Sequence, residues 1–497
     1  MLFFSRIPER PGAKWGNPGP AVPAKRKESI GMRTAKDIRH RSPRPGILGI
    51  LATALAVIGA GALTSGAAFG GDKKPNIIFI LSDDHRWDAM GNMGHPFLQT
   101  PSLDRLAQEG VRFNNAFVTT PLCSPSRASF LTGMYPHRHG VKNNLTPWDD
   151  RNVTFLELLK KAGYKTAFIG KWHMPGRLPN ILGKAVDRFV TFTASGGQGT
   201  YFDCPLIIDG KRQERKGRYL TEDLTDLALE FIKREKDGPF CVYLAHKAVH
   251  QPFWPPPEYR KLYGDVEVGR HLPPEYHSWI SMMRGSWYYG MLGNVEQFYR
   301  DYCRTITALD KQIGRILTEL DRLGIADHTL VVYAGDNGIF WGEKQFIDKR
   351  WPYEEATRIP FIVRYPAGSK TPGRESDQMV LNVDLAPTLL EMAGVPIPDS
   401  MQGKSIRPVL ENRGGSLRES FHLEYYKDFP YRVPEYDAVR TGKFLYVEYR
   451  GGKKAELFDL RKDPRTLQNI VDSLEGKQAL PELKEKLREY VRGKSRE

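Results

Sequence analysis

Four oxygen-bearing side chains, Asp83, Asp84, Asp336 and Asn337, form two adjacent pairs far apart in the chain. Together they offer three formal negative charges and an amide oxygen, a donor set suited to a hard divalent cation. Calcium is favoured over zinc, because neither a CxxC nor an HExxH spacing occurs. Lys171, His173, His250 and Lys349 add cationic or proton-donating groups. Each alone reads as an ordinary surface or core residue, so their weight comes from position. Cys123 heads the run Cys123-Ser124-Pro125-Ser126-Arg127, followed by ASFLTG. Pro125 suits the first turn of a helix and ASFL continues one, which places Cys123 near a helix N-terminus, where the dipole and free N–H groups favour an anion. The residues thus describe an activated side chain beside a metal and several cations, ready for an anionic ester. A low-pKa thiol is one form that nucleophile could take.

The elements that must position these groups are short apolar runs alternating with helical patterns. NIIFIL, TAFIG, FCVYLA, LVVYA and PFIVRYP read as buried parallel strands. LDRLAQEG, VTFLELLKKAGY, LTDLALEFIKRE, YCRTITALDKQIGRILTELDRLG and VDLAPTLLEMAG read as the helices between them. The expected fold is an α/β one, with a large, mostly parallel sheet covered by helices on both faces. In open sheets of this kind ligands bind beyond the carboxyl ends of the strands. NIIFIL runs into Asp83 and Asp84, TAFIG into Lys171 and His173, FCVYLA into His246 and His250, and LVVYA into Asp336 and Asn337. One such pair would be a turn; four at one edge are hard to explain that way. From about Ser400 the pattern changes to FHLEYY, YDAVRTGKFLYVEYR and KAELFDL, then the charged helix LPELKEKLREYVRG. A smaller C-terminal antiparallel sheet plus helix is expected over 400–497, after a catalytic domain at 72–399.

CSPSRASFLTG resembles the signature of the type I sulfatases, C-x-P-S-R followed by L-T-G. The resemblance extends over NIIFILSDD, GYKTAFIGKWH, AHKAVHQPF, AGDNG, DKRWPYEEATRIPFIVRYP and the C-terminal RTGKFLYVEYR and ELFDLRKDP, in the family's order. It implies an alkaline phosphatase-like fold, and conversion of Cys123 to formylglycine by a maturation enzyme, the aldehyde hydrate being the nucleophile. It further implies calcium held by Asp83, Asp84, Asp336, Asn337 and the modified Cys123, and Arg127 holding the hydrate. Lys171, His250 and Lys349 are implied to bind sulfate oxygens and assist the leaving group, and His173 to take a proton from the hydrate. His246, His137 and His139 read as structural. RKDPRTLQNI lacks the acidic residue common after that Pro. The segment from DNG through GEKQFIDKRWPYEE is similar to enzymes acting on 6-sulfated amino sugars, including N-acetylglucosamine-6-sulfatases and mucin-desulfating members. Two rival readings keep the same site: a phosphonate or phosphate ester hydrolase, and a non-catalytic sulfated-glycan binder with an unmodified thiol.

The chain has 497 residues with 73 Lys or Arg against 58 Asp or Glu, which excludes a disordered, collagenous or multi-span membrane protein. Residues 1–46 hold eleven Lys or Arg against three acids, over half of the net +15. The apolar run ILGILATALAVIGAGALTSGAAFGG follows, so 1–71 reads as a leader with a signal peptide, the true start falling at Met32. An uncleaved membrane anchor is the minority reading. The expected location is periplasmic or extracellular, without stable membrane insertion after cleavage. Because the basic clusters fall mainly in the leader, nucleic acid is not an expected partner. Four cysteines do not make a disulfide scaffold. The aromatics Trp254, Tyr259, Tyr276, Trp279, Trp287, Tyr288 and Tyr289 of the insertion after Ala245 would either stack on sugar rings or pack their loops down.

Overall fold

The computed structural model describes residues 74–175, 185–192, 197–274, 295–368 and 371–496. The leader, and Tyr276, Trp279, Trp287, Tyr288 and Tyr289, lie outside the described residues. No helix among the described residues is long and apolar enough to cross a membrane.

Ten strands form one mixed sheet. From edge to edge they are Arg374–Leu381, Val111–Phe117, Phe361–Arg364, Thr329–Gly335, Asn76–Ser82, Phe240–Ala245, Lys165–Gly170, Arg188–Thr191, Leu206–Ile208 and Lys211–Gln213. The centre is parallel: Asn76–Ser82 lies between Thr329–Gly335 and Phe240–Ala245, and Lys165–Gly170 continues beyond. Side chains alternate across each strand. Ile78 and Ile80 therefore face helices Pro101–Gln108, Leu220–Glu235 and Val295–Arg322, while Ile77, Phe79 and Leu81 face Cys123–Thr132, Phe155–Lys161 and Leu385–Met392. With both faces covered, the central strands can be apolar throughout. Val295–Arg322 buries Tyr302, Ile306, Leu309, Ile313, Ile316 and Leu320, a stripe of helical period. Phe155–Lys161 begins where the Thr154 side chain accepts the Glu157 N–H.

One expected direction is corrected. Phe361–Arg364, within PFIVRYP, runs antiparallel to both neighbours, Val111–Phe117 and Thr329–Gly335. The chain leaves Thr329–Gly335 at the carboxyl edge and stays there through Lys349, so the next strand starts from that edge and must run back. A continuous apolar run reports burial on two faces and carries no direction.

A four-stranded antiparallel sheet, Ser420–Tyr425, Tyr436–Thr441, Phe444–Tyr449 and Glu456–Asp459, follows in simple meander order. Leu483 and Leu487 of helix Leu474–Arg496 cover one face at Val439, Tyr446 and Leu457. The other face joins Phe421, Leu423, Tyr436 and Leu445 to Phe117, Leu122 and Phe340 in a shared core. Leu122 immediately precedes Cys123, so the small sheet supports the start of helix Cys123–Thr132.

Candidate active site

Strand register brings the functional residues to one level. Ser82 pairs with Gly335, so Asp83–Asp84 and Asp336–Asn337 emerge side by side. Ala245 is level with Leu81 and Gly170, which sets Lys171 beside them. At Gly170, φ is +123° and a Cβ would lie 1.8 Å from the Ala245 carbonyl oxygen, so only glycine lets the chain turn there towards Lys171. Asp84 and His173 also take left-handed backbone, with φ of 57° and 60°. Such conformations in non-glycine residues cost about 1–3 kcal/mol and cluster at functional sites.

Helix Cys123–Thr132 delivers Cys123 at its first turn. Its Sγ lies 3.0 Å from Lys349 Nζ and 3.5 Å from Asp83 Oδ1, fully buried. One turn on, Arg127 spans the floor: Nε donates to Asp336 Oδ2 at 2.9 Å, Nη1 donates to the Lys171 carbonyl, and Nη2 is 3.5 Å from Asp83. Lys171 pairs with Asp83 and Lys349 with Asp84. His250 Nε2 stands 3.6 Å from Asp84 Oδ2. Its Nδ1 lies 2.6 Å from the Gln251 carbonyl oxygen and must donate to it, so Nε2 is the atom turned to the pocket. Asn337 Nδ2 donates to Asp84 Oδ1 at 2.6 Å. All ten candidate residues thus lie in one contact network.

His173 joins the network through partners that sequence reasoning missed. Ser124 Oγ donates to the His173 carbonyl at 2.7 Å, and Gln198 bridges Lys171 Nζ at 2.6 Å and His173 Nε2 at 2.9 Å. Ser124 lies within the quoted motif, adjacent to Cys123, and that adjacency was its only signal. Gln198 sits in GGQGT, where no periodicity marks it. His139 touches Ser129 and the Val141 N–H, bracing the helix rather than entering the pocket. His137 pairs with Glu424. His246 is fully buried. All four cysteines are free and buried.

Electrostatics separate the carboxylates. Burial opposes ionisation of Asp83, yet Lys171, His250 and Arg127 hold it well below the usual carboxylate range. Burial, with repulsion from Asp83 and Asp336, pushes Asp84 up to about 7 against the pull of Lys349. Asp336 is raised by burial and Asp83. Burial pushes the Cys123 thiol up to about 12, with Asp83 adding to it. The low-pKa thiol allowed by helix position is therefore corrected: desolvation and a neighbouring carboxylate outweigh the dipole and the two lysines. The unmodified thiol is a poor nucleophile here, because the thiolate is the reactive form.

The donor set fits a divalent cation. Asp84 Oδ2 and Asn337 Oδ1 are buried without a hydrogen-bond partner, and Asp83, Asp84, Cys123 and His250 present ligand atoms within 4.8 Å of one another. Buried oxygens are normally satisfied, so two unpaired ones beside crowded carboxylates mark a place for positive charge.

A buried pocket of cations and metal-ready oxygens around one helix-borne residue, at the carboxyl edge of a covered sheet, defines a hydrolase of anionic esters. The sulfatase family model matches residues 75–395, and the chain belongs to the sulfatase family; it is a sulfuric ester hydrolase. A model of the N-sulphoglucosamine sulphohydrolase C-terminal region matches residues 342–493. An N-acetylglucosamine-6-O-sulfatase of Bacteroides thetaiotaomicron is 33% identical over 494 residues, covering 84% of this chain and 86% of its own. The human N-acetylglucosamine-6-sulfatase is 29% identical over 495 residues, covering 88% of each. A solved complex of a protein with its substrate, D-glucosamine-2-N,6-O-disulfate, superposes with a TM-score of 0.75 at 32% identity, covering 85% of this chain and 98% of that one. Of the readings open from the sequence, the sulfatase is the one that the relatives named here support.

Proposed function

We propose that the enzyme removes the 6-O-sulfate of an N-acetylated glucosamine within a sulfated glycan. The reading rests on the relative of that activity that is a third identical across most of both chains. Residues 72–399 form the catalytic domain and 400–497 the C-terminal subdomain, and the 1–71 leader directs the protein to the periplasm or exterior. Cys123 is the precursor of formylglycine, installed by a maturation enzyme. As its hydrate, formylglycine would supply an oxygen nucleophile for sulfur and a second hydroxyl for the release of sulfate. Asp83, Asp84, Asp336, Asn337 and the modified residue would hold calcium, which would supply positive charge for the sulfate oxygens.

The chain's own residues do the rest. Arg127, anchored on Asp336, fixes the nucleophile's orientation. Lys171 and Lys349 bind sulfate oxygens and offset the charge gathering on them. His173, held by Ser124 and Gln198 and kept neutral by burial and Lys171, is able to take the hydrate's proton. For the leaving oxygen, Lys349 already carries a proton: burial opposes its charge, but Asp84 and the other acids hold its pKa well above the usual range. His250, with Nδ1–H given to Gln251, must first gain a second proton, which burial disfavours.

The test begins with the mass of the proteolytic peptide spanning residue 123, from protein co-expressed with a maturation enzyme. Conversion to the aldehyde is expected. Sulfate release is then scored on a panel of sulfated sugars with Cys123→Ala as control, and preference for another position over the 6-O-sulfate of N-acetylglucosamine overturns the substrate assignment.

A further inference from the structure

An open cleft of about 560 Å³ is lined by Lys427, by the segment from Phe429 to Glu435, and by Arg450 and Gly451. This volume falls in the ~300–1,000 Å³ range of small-molecule sites. Its walls combine two side-chain types. Phe429 is 73% exposed, unusual for a large apolar ring, and Tyr431 is 38% exposed with its ring against Arg350. Lys427 and Arg432 are exposed and have no acidic partner among the described residues. The acid in the lining, Glu435, already accepts the Lys427 backbone N–H at 3.0 Å, and Arg450 is paired with Asp437 at 2.7 Å. What remains unpaired is the two cations and the Phe429 ring.

The cleft is built onto the reaction centre. Arg350 directly follows Lys349, whose Nζ is 3.0 Å from Cys123 Sγ. The Arg350 guanidinium lies 3.3 Å from the Tyr431 ring centroid and 2.9 Å from Asp428, where both partners of the ion pair are buried. On the other side, Asn144 donates its N–H to Asp428 Oδ1 while its own Oδ1 accepts the Ser124 N–H at 3.0 Å, one residue from Cys123. Asn143 Nδ2 donates to the Lys427 carbonyl at 2.7 Å. Asp428 thereby clamps the loop both to the segment that carries Lys349 and to the turn that opens the nucleophile helix.

We propose that this cleft is a second sugar subsite, taking an acidic residue linked to the sulfated hexosamine, with Lys427 and Arg432 pairing its carboxylate or sulfate and Phe429 and Tyr431 meeting its ring. The proposal rests on the amino-sugar reading above and names the neighbour in the glycan. Rings of Phe and Tyr suit the apolar face of a pyranose, and charge-assisted bonds from Arg and Lys suit its anion. The chemistry that recognises the substrate then extends over two residues of an acidic polysaccharide fragment.

The test compares matured wild type with the Lys427→Ala/Arg432→Ala double variant on three compounds: 6-O-sulfated N-acetylglucosamine, its disaccharide with a hexuronate, and its disaccharide with a neutral hexose. The double variant is expected to lose about tenfold in kcat/KM on the acidic disaccharide, while the monosaccharide and neutral disaccharide change less than about twofold. Equal losses on all three, or none, overturn the subsite. Phe429→Ala is expected to weaken both disaccharides and spare the monosaccharide; a loss shared by all three counts against the subsite. The cleft is also read apart from the reaction, by calorimetric titration with the sulfate-free acidic disaccharide. Binding about tenfold weaker in the double variant supports it, and equal or absent binding overturns it. If an aryl sulfate is hydrolysed but none of the three sugars is, the amino-sugar reading has failed, and the calorimetric result alone decides the cleft.

Discussion

Two buried clusters in this molecule gather carboxylates and imidazoles, and they differ in how their oxygens are occupied. In the small sheet, His422 Nε2 bonds Asp437 Oδ1 at 2.9 Å, Arg450 takes Asp437 Oδ2, and Glu424 is shared by the His137 N–H and ring and the Tyr426 hydroxyl. Each carboxylate oxygen has a partner, so the cluster is finished as it stands. At the catalytic edge, Asp84 Oδ2 and Asn337 Oδ1 have none, and Asp84 is pushed up to about 7 by burial and its acidic neighbours. Ligand spacing alone groups the two clusters together; only the unsatisfied oxygens separate a structural network from a site whose donors fit a cation.

The sharpest division is expected in turnover. Cys123→Ala should lower kcat by about a thousandfold or more while leaving the fold intact, as sulfate release and circular dichroism would show. Removal of the metal by chelation, or Asp84→Asn, should cost about a hundredfold or more in kcat/KM. Added calcium should raise the melting temperature of wild type, by about 2.7 kcal/mol of stability at a hundred times Kd, and should fail to raise that of Asp84→Asn. A calcium response that survives Asp84→Asn but disappears in His422→Ala would reverse the comparison.

The metal-free protein offers a finer test. With the folded pKa of Asp84 at about 7 against an ordinary 3.8, the folded chain keeps a proton that the unfolded chain has released. That contribution is present at low pH and lost as pH rises from about 4 to 7. Wild type should therefore lose stability relative to Asp84→Asn across that window, measured by urea unfolding in chelator, and a flat difference would remove the assigned repulsion. Gln198→Ala should lower kcat/KM about tenfold without moving the melting temperature, because it frees Lys171 and His173 but no core packing. Smallest in activity is His422→Ala, with less than about a twofold change in kcat/KM but about 1–3 kcal/mol lost in stability as Asp437 loses its partner.

Central strands were legible in the sequence because burial on both faces leaves a plain apolar run, and the candidate ligands because they end those runs. The strands Val111–Phe117 and Arg374–Leu381 were not. VRFNNAF and RESDQMVL carry Asn, Asp, Glu and Gln at positions that burial does not reach, so neither alternation nor a continuous apolar run survives. The reversed Phe361–Arg364 escaped because side-chain pattern is blind to strand direction. The thiol's pKa escaped for a different reason: helix position was readable, but the desolvation that overrides it depends on layers packed from distant parts of the chain. Gln198 was illegible because its role comes only from where a glycine-rich stretch happens to lie.

The return of Phe361–Arg364 beside Thr329–Gly335 fixes both ends of the segment that carries Asp336, Asn337, Lys349 and Arg350 in one ladder. Between those ends Phe340 and Trp341 are buried in two separate cores. The excursion is therefore anchored at its middle as well as at its ends, and its charged groups keep their spacing as a unit: a residue inserted between Asn337 and Lys349 would have to displace an aromatic from a core before it could move either of them.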